Sequence, residues 1–239
     1  MNFFRGTKAF FSDKHLLFIL LLLIISTVLF IFVRIKSFQN GKSIPTASCQ
    51  QGIANENFTI KLISRQFLPG AEIDSGLKWL GSYPGERAHV FLQFCEPKDK
   101  NIAGDLNIKL LNYIPDNTWF ASIPREIVKD KIAISRIRWF GPIMPEDKIS
   151  PSILQGVYPS YVLRDDNNVA LEVSFFEDVD LKEASAVIEN SGGKIIGSTP
   201  ISNKLTIEIA KDLISELAKN DIVRWIDILS PPPRESVEK

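Results

Sequence analysis

The sequence predicts an α+β protein in which a membrane-spanning helix precedes two βαββαβ modules. Three observations carry this expectation. An uncharged apolar run, LLFILLLLIISTVLFIFV, extends from Leu16 to Val33. Beyond it, short alternating apolar segments and helix-like segments come twice in the same order. The triplets Ile137-Arg138-Trp139 and Val223-Arg224-Trp225 close corresponding strands, each tryptophan twenty residues after a matching position, Trp119 or Leu205.

Composition bounds the function before any motif does. A chain of 239 residues allows one or two domains with real cores. Its 28 Lys+Arg balance 28 Asp+Glu, which argues against nucleic-acid binding, where a basic stripe is usual. Two Cys and two His are too few for a disulfide-dense scaffold, a Cys-rich zinc module or a His-rich metal site. No metal, cofactor or small-molecule substrate is expected. Residues 1–42 hold six basic groups and one acid, Asp13; subtracting these from the chain totals leaves 22 basic and 27 acidic groups, a net of −5 for residues 43–239. The body is mildly acidic.

The apolar run comes first among the elements. At a helical rise of 1.5 Å per residue it spans about 27 Å, close to the thickness of a bilayer's hydrocarbon core. Lipid forces backbone groups to pair internally, so the run is expected to be helical. Cleavable signals have apolar regions of about 7–15 residues ending in a small-x-small site. Arg34, Ile35 and Lys36 follow instead, and Thr46-Ala47-Ser48-Cys49 lies too far beyond. The expectation is an uncleaved anchor. Arg5, Lys8 and Lys14 on one side nearly tie with Arg34, Lys36 and Lys42 on the other. A single N-terminal anchor before a large domain usually leaves that domain outside. Residues 1–15 are therefore expected to be cytoplasmic, 16–33 to span, and the main body to be extracytoplasmic.

Residues 34–60 are polar and turn-rich and read as a stalk. Asn57-Phe58-Thr59 is a glycosylation acceptor triplet in hosts that glycosylate. Cys49 and Cys95 both fall beyond the anchor, where an oxidising compartment would pair them. Free thiols are the other reading, since Cys95 sits in an apolar strand where Cys acts as a small hydrophobe.

The first module is expected over 61–151. Val90, Leu92 and Phe94 alternate as in a half-buried strand. A helical or turn segment covers Asp99 to Asn107, and an apolar strand covers Ile108 to Ile114. Pro115-Asp116-Asn117 supplies turn chemistry before a third strand, Thr118 to Ile123. Pro124 suits a helix start, so Arg125 to Ala133 reads as a helix. Arg136 to Phe140 makes the last strand, stopped by Gly141-Pro142. Residues 152–168 read as a linker, with a turn at Asp165-Asp166-Asn167-Asn168.

The second module, 169–229, is cleaner. Val169, Leu171, Val173 and Phe175 alternate. Asp180 is a good N-cap three residues before Glu183, in a capping-box arrangement. The helix it opens would bury Leu181, Ala184, Val187 and Ile188 and end at Gly192-Gly193. Strands over Lys194 to Gly197 and Lys204 to Ile209, a helix over Lys211 to Lys219 and a strand over Ile222 to Ile228 complete it. The shared βαββαβ order is the ferredoxin-like unit. Residues 230–239 form a Pro-rich tail.

Several segments together carry a family resemblance: HVFLQF (89–94), LLNYIPDNTWFASIP (110–124), RIRWFGPIMPEDKISP (136–151), GGKIIG (192–197) and IVRWIDILSPPP (222–233). Over roughly residues 60–233 the chain resembles the N-terminal prodomain region of subtilisin-like serine proteases, in a form with two propeptide-like modules in tandem. The resemblance implies ferredoxin-like modules whose sheet lies on the protease, assisting its folding and inhibiting it. It implies that the segment after the last strand occupies the active-site cleft. Here that stretch begins with Leu229, Ser230, Pro231, Pro232, Pro233 and Arg234 and runs to Lys239. Three consecutive prolines favour an extended, stiff tail. The catalytic Gly-Thr-Ser-x-Ala and His-Gly-Thr segments of that family have no counterpart in this sequence, so no catalytic residue is assigned.

The remaining polar clusters have simpler readings. Glu177, Asp178 and Asp180 read as a loop and a cap rather than a calcium site. His89 has no assignable nucleophile and reads as structural. Gly192-Gly193 lacks the Lys-Ser/Thr of a phosphate loop. Trp139 and Trp225 read as core or sheet-face residues. Three functions follow. The first is a membrane-anchored, non-catalytic prodomain-like protein that binds a subtilisin-like serine protease in trans, as inhibitor or folding helper. The second is a separately encoded or truncated front half of such a protease. The third is a bitopic scaffold whose modules bind envelope proteins.

Overall fold

A short hairpin brings the chain in: β1 (Ile60–Lys61) pairs antiparallel with β2 (Gln66–Phe67), and Ile60 is fully buried. The structure is a computed structural model, and it describes residues 58–231 except 72, 130–132 and 166. Helix α1 (Asp74–Ser82) follows. Then come β3 (Arg87–Phe94), β4 (Lys109–Ile114), β5 (Thr118–Pro124) and β6 (Ile137–Pro142). They form one antiparallel sheet in the order β4-β5-β3-β6. The turn from β4 to β5 places Asp116 and Asn117 at φ 66° and 59°, a left-handed conformation that these residue types tolerate best after glycine.

A second antiparallel sheet repeats the plan. It contains β7 (Asn168–Phe175), β8 (Lys194–Thr199), β9 (Lys204–Ala210) and β10 (Val223–Ile228), in the order β10-β7-β9-β8. Counted within each half, both sheets run fourth, first, third, second strand. Before β7 the chain forms a short helix, α2 (Pro151–Leu154), and a 3-10 turn at Ser160–Val162. Helix α3 (Leu181–Asn190) links β7 to β8, and α4 (Ile214–Ala218) leads into β10. Asp180 caps α3 by accepting from the Lys182 backbone N–H at 2.6 Å, one residue earlier than the capping-box partner the sequence suggests. Gly192, at φ 80°, ends it, a position that favours glycine because a Cβ there is strained.

The Ile-Arg-Trp echo has a structural meaning. In β6 the register shifts between the pairs Phe94–Ile137 and Gln93–Trp139; in β10 it shifts between Phe175–Val223 and Ser174–Trp225. Arg138 and Arg224 are thus the extra residues of two equivalent β-bulges, which bend and twist the last strand of each sheet. Arg138 is buried, donating to Gln93 Oε1 at 2.9 Å and the Pro69 carbonyl at 3.1 Å, with its guanidinium 4.2 Å from the Phe58 ring centre.

Two apolar clusters hold these elements. One lies between α1 and the first sheet and includes Leu80, Val90, Leu92, Ala121, Ile123 and Phe140. The other fills the second module around Leu171, Val173, Ala184, Ile188, Ile207 and Leu217 and extends to Phe91 and Ile114 of the first sheet. That extension revises the expectation of a half-buried β3: seven of its eight residues are buried, because the second module covers His89 and Phe91 on the face that alternation assigns to solvent, and the entering segment with Phe58 and Phe67 covers Gln93 and Trp139. In the segment 143–163, Ile149 bridges to Ile226 and Val162 is fully buried.

The α+β class is what the structure shows, with local differences. The helix expected over Arg125 to Ala133 is a 3-10 turn at Arg125–Lys129 and another at Ala133–Arg136. The β-branched residues Ile127, Val128, Ile132 and Ile134 disfavour a continuous α-helix. The β1–β2 hairpin and α1 had no expectation. The expected anchor (16–33) and most of the stalk lie outside the described residues. Among the described residues no helix is long and apolar enough to cross a membrane.

Candidate functional site

Two surfaces concentrate the chemistry: the boundary between the modules and the open face of the second sheet. At the boundary, β3 turns His89 toward the second module, where its ring stacks on Phe176 with centres 4.2 Å apart. The side chain is 8% exposed. Its Nδ1 lies 2.6 Å from Asp221 Oδ2 and its Nε2 3.0 Å from Asp178 Oδ1. The His89 backbone N–H also donates to both Asp221 oxygens, at 3.1 and 3.2 Å. Asp178 comes from the loop after β7 and Asp221 from the turn before β10. One histidine of the first module is therefore gripped by two neighbouring loops at one end of the second sheet.

Electrostatics follow from this geometry. Burial pulls the His89 pKa down, and the bonds to Asp178 and Asp221 outweigh it, so the net shift is upward. Burial alone would raise the Asp178 carboxyl. The bonds from His89, Ser122 and Lys109 reverse that and hold it well below the ordinary carboxylate range. Lys109 Nζ is 3.3 Å from Asp178 Oδ2. Tyr83 is raised by burial and then by Asp221. Lys148 is 3% exposed and donates to the Asn220 carbonyl at 2.8 Å. Burial lowers it to about 8, against opposing pulls from Asp221 and Asp147. Both ring nitrogens of His89 face carboxylates, so in its charged form it presents no lone pair to a nucleophile.

The second surface is the face of the second sheet opposite α3 and α4. In β9, Leu205, Ile207 and Ile209 are buried while Lys204, Thr206 and Glu208 are half-exposed. Register places Glu172 beside Thr206 and Asp227, and Trp225 beside Ser174, on this same face. Lys204 Nζ meets Glu172 Oε1 at 2.6 Å, and Trp225 Nε1 donates to Asp227 at 3.2 Å. The equivalent face of the first sheet is covered, with Phe120 against Phe176 at 5.6 Å and Trp139 against Phe67 at 6.0 Å.

The residues singled out from sequence distribute as follows. Leu229 is half-buried, and Ser230 and Pro231 are exposed beyond β10; Pro232, Pro233 and Arg234 lie outside the described residues. Cys95 is disulfide-bonded and 4% exposed at the end of β3, while Cys49 lies outside the described residues. The acidic trio diverges: Glu177 accepts from Asn112 at 3.0 Å, Asp178 serves His89 and Lys109, and Asp180 caps α3. Asp165 accepts the Asn167 and Asn168 backbone N–H groups at 2.9 and 2.6 Å, which makes a turn. Sequence reasoning missed the His89–Asp178–Asp221 cluster. Its members stand 89 and 132 positions apart, and each alone has an ordinary local reading.

Residues 42–144 match a family described as a domain of unknown function (DUF8729). The match covers less than half of the chain and ends just after β6, so it takes in the first sheet and none of the second. No curated protein and no solved structure matches the chain.

Proposed function

We propose that this is a membrane-anchored, non-catalytic prodomain-like protein, built of two ferredoxin-like modules, that binds a subtilisin-like serine protease in trans as inhibitor or folding helper. The observation that carries the reading is the unequal fate of the two sheet faces. The first is buried within the chain. The second stays half-exposed along β9 and β10, although Ala170 and Ser174 of β7 are buried on it, and its edge strand β10 leads directly into the exposed Ser230 and Pro231. A sheet face and a tail leaving the same edge can be engaged by one partner together, which suits a body resting on the sheet and a cleft receiving the tail.

The order of strands in each half supports the ferredoxin-like assignment, and the family resemblance supplies the partner class. The apolar run at 16–33 supports an anchor that leaves the body extracytoplasmic. A Cys49–Cys95 disulfide would then pin the stalk to the end of β3, in keeping with an oxidising compartment and with the bonded state of Cys95.

Inhibition tests the reading. The full chain in detergent micelles, mixed with a subtilisin-like protease from the same host, should inhibit it stoichiometrically. Deleting Leu229–Lys239 should weaken inhibition by at least about tenfold, equivalent to about 1.4 kcal/mol of binding. Inhibition that survives the deletion would remove the tail from the mechanism. No effect on any such protease would leave a scaffold for other envelope proteins as the better account.

A further inference from the structure

We propose that the His89–Asp178–Asp221 cluster is a pH-operated latch between the two modules, closed while the imidazole carries its proton and released on its Asp178 side when that proton leaves. The inference rests on the module boundary alone and is independent of what the open sheet face binds.

The asymmetry of the cluster decides which side opens. Asp221 holds His89 twice, through Nδ1 at 2.6 Å and through the backbone N–H. Asp178 has only the longer Nε2 contact from this residue, at 3.0 Å. A neutral ring has one N–H, and the doubly anchored Asp221 keeps it on Nδ1. The proton lost to solvent is the one on Nε2. A lone pair then faces the Asp178 carboxylate across a contact with little water, and attraction becomes repulsion. Asp178 sits two residues beyond Phe176, whose ring covers His89 and Phe120. Lys109 and Ser122 keep their bonds to Asp178, so loss of the Nε2 contact loosens the Phe176 ring over His89 without detaching the whole loop.

The surrounding charges set the direction of the response. Lys109 and Ser122 from the first sheet also bond Asp178, and Arg87 is occupied by Ser122 and the Asn107 carbonyl. Glu177 is engaged by Asn112. Tyr83 and Lys148 face Asp221. Because the latch raises the imidazole above its ordinary value of 6.5, its stabilisation is complete below that value and is lost as pH rises through the latched value. Acid does not open it until Asp178 protonates, and that carboxyl is held well below the ordinary range.

Two measurements on the full chain in micelles test this. The chain holds only His15 and His89, so an NMR titration of labelled histidine resolves both rings. His89 should titrate clearly above the ordinary value of 6.5. Amide exchange, corrected for its intrinsic pH dependence, should show protection of residues 175–180 falling relative to β9. The fall should be up to about tenfold per pH unit between the ordinary and latched values. His89→Gln and Asp178→Asn should each flatten that response. His89 titrating at or below its ordinary value, or an equal loss of protection in both variants, would overturn the latch.

Discussion

Lys148 brings a charge into the module boundary with 3% of its surface exposed and one carbonyl, that of Asn220, as its hydrogen-bond acceptor. Burial lowers its pKa from 10.5 to about 8. The sign is opposite to that of His89. The cost of burying the ammonium is fully present below the folded value and fades as pH rises toward the unfolded one. A shift of this size corresponds to about 3 kcal/mol at most, partly offset by the bond to Asn220, worth about 1 kcal/mol. Lys148→Met should therefore raise unfolding free energy at neutral pH by on the order of 1–2 kcal/mol. The gain should vanish by about pH 10, near the unfolded lysine value. Urea titrations across that range measure both. A methionine variant less stable than the parent at neutral pH would show that the ammonium is better compensated than its one bond indicates. Asp147 is the contrasting case. Its fully buried side chain accepts from Arg65 Nε and Nη2 at 2.8 and 2.6 Å and from Ser64 at 2.8 Å, so its charge has partners on every side. None of these pairings had a sequence signal, because a buried ion reveals itself only through partners some eighty residues away.

Elements show how much local pattern conveys and where it stops. Strand positions in the second module were legible because alternation there is clean: Leu205, Ile207 and Ile209 point to the helices while Thr206 and Glu208 point away. The cap at Asp180 was equally legible, and Asp180→Ala should cost about 1 kcal/mol, read as a lowered urea midpoint at unchanged slope. An unchanged midpoint would mean that packing of Ala184 and Ile188 alone sets the helix start. Helix α1 was invisible for a physical reason. Its Gly76 and Gly81 depress helix propensity, yet Gly76 is required by packing: a Cβ there would stand 2.6 Å from the Phe140 carbonyl oxygen. Gly76→Ala should therefore destabilise by about 1–3 kcal/mol, although glycine to alanine inside a free helix gains up to about 1 kcal/mol. A stabilised variant would show that α1 can lift off β6 at little cost. The Ile-Arg-Trp echo was visible as a repeat, but its cause was not. Only pairing register shows that Arg138 and Arg224 are bulge residues.

At the scale of the whole molecule, one cluster contains Phe91 and Ile114 from the first sheet together with the interior of the second module. Apolar surface shared in this way couples the two halves, because separating them exposes it all at once. Unfolding of the described body should accordingly be one cooperative transition, with calorimetric and van't Hoff enthalpies in agreement. Phe91→Ala should cost about 3–5 kcal/mol and lower that single transition. Two resolved transitions, only one of them moved by the substitution, would show that the modules unfold independently. Each module's plan could be read from sequence because alternation and caps are local. Their union could not, since β3 reads as half-buried while its second face is covered by the entering hairpin and by residues far along the chain. On the second sheet the corresponding face keeps Lys204, Thr206 and Glu208 of β9 half-exposed, and the proposed partner would rest there.

A photo-crosslinker at Thr206, in the centre of that face, tests this most directly. With the full chain expressed in its own host cells, the expected result is crosslinking to a subtilisin-like protease, and none from the same group placed at Phe91. Failure to capture such a protease from Thr206, with capture from the helix-covered side of the sheet instead, would contradict it.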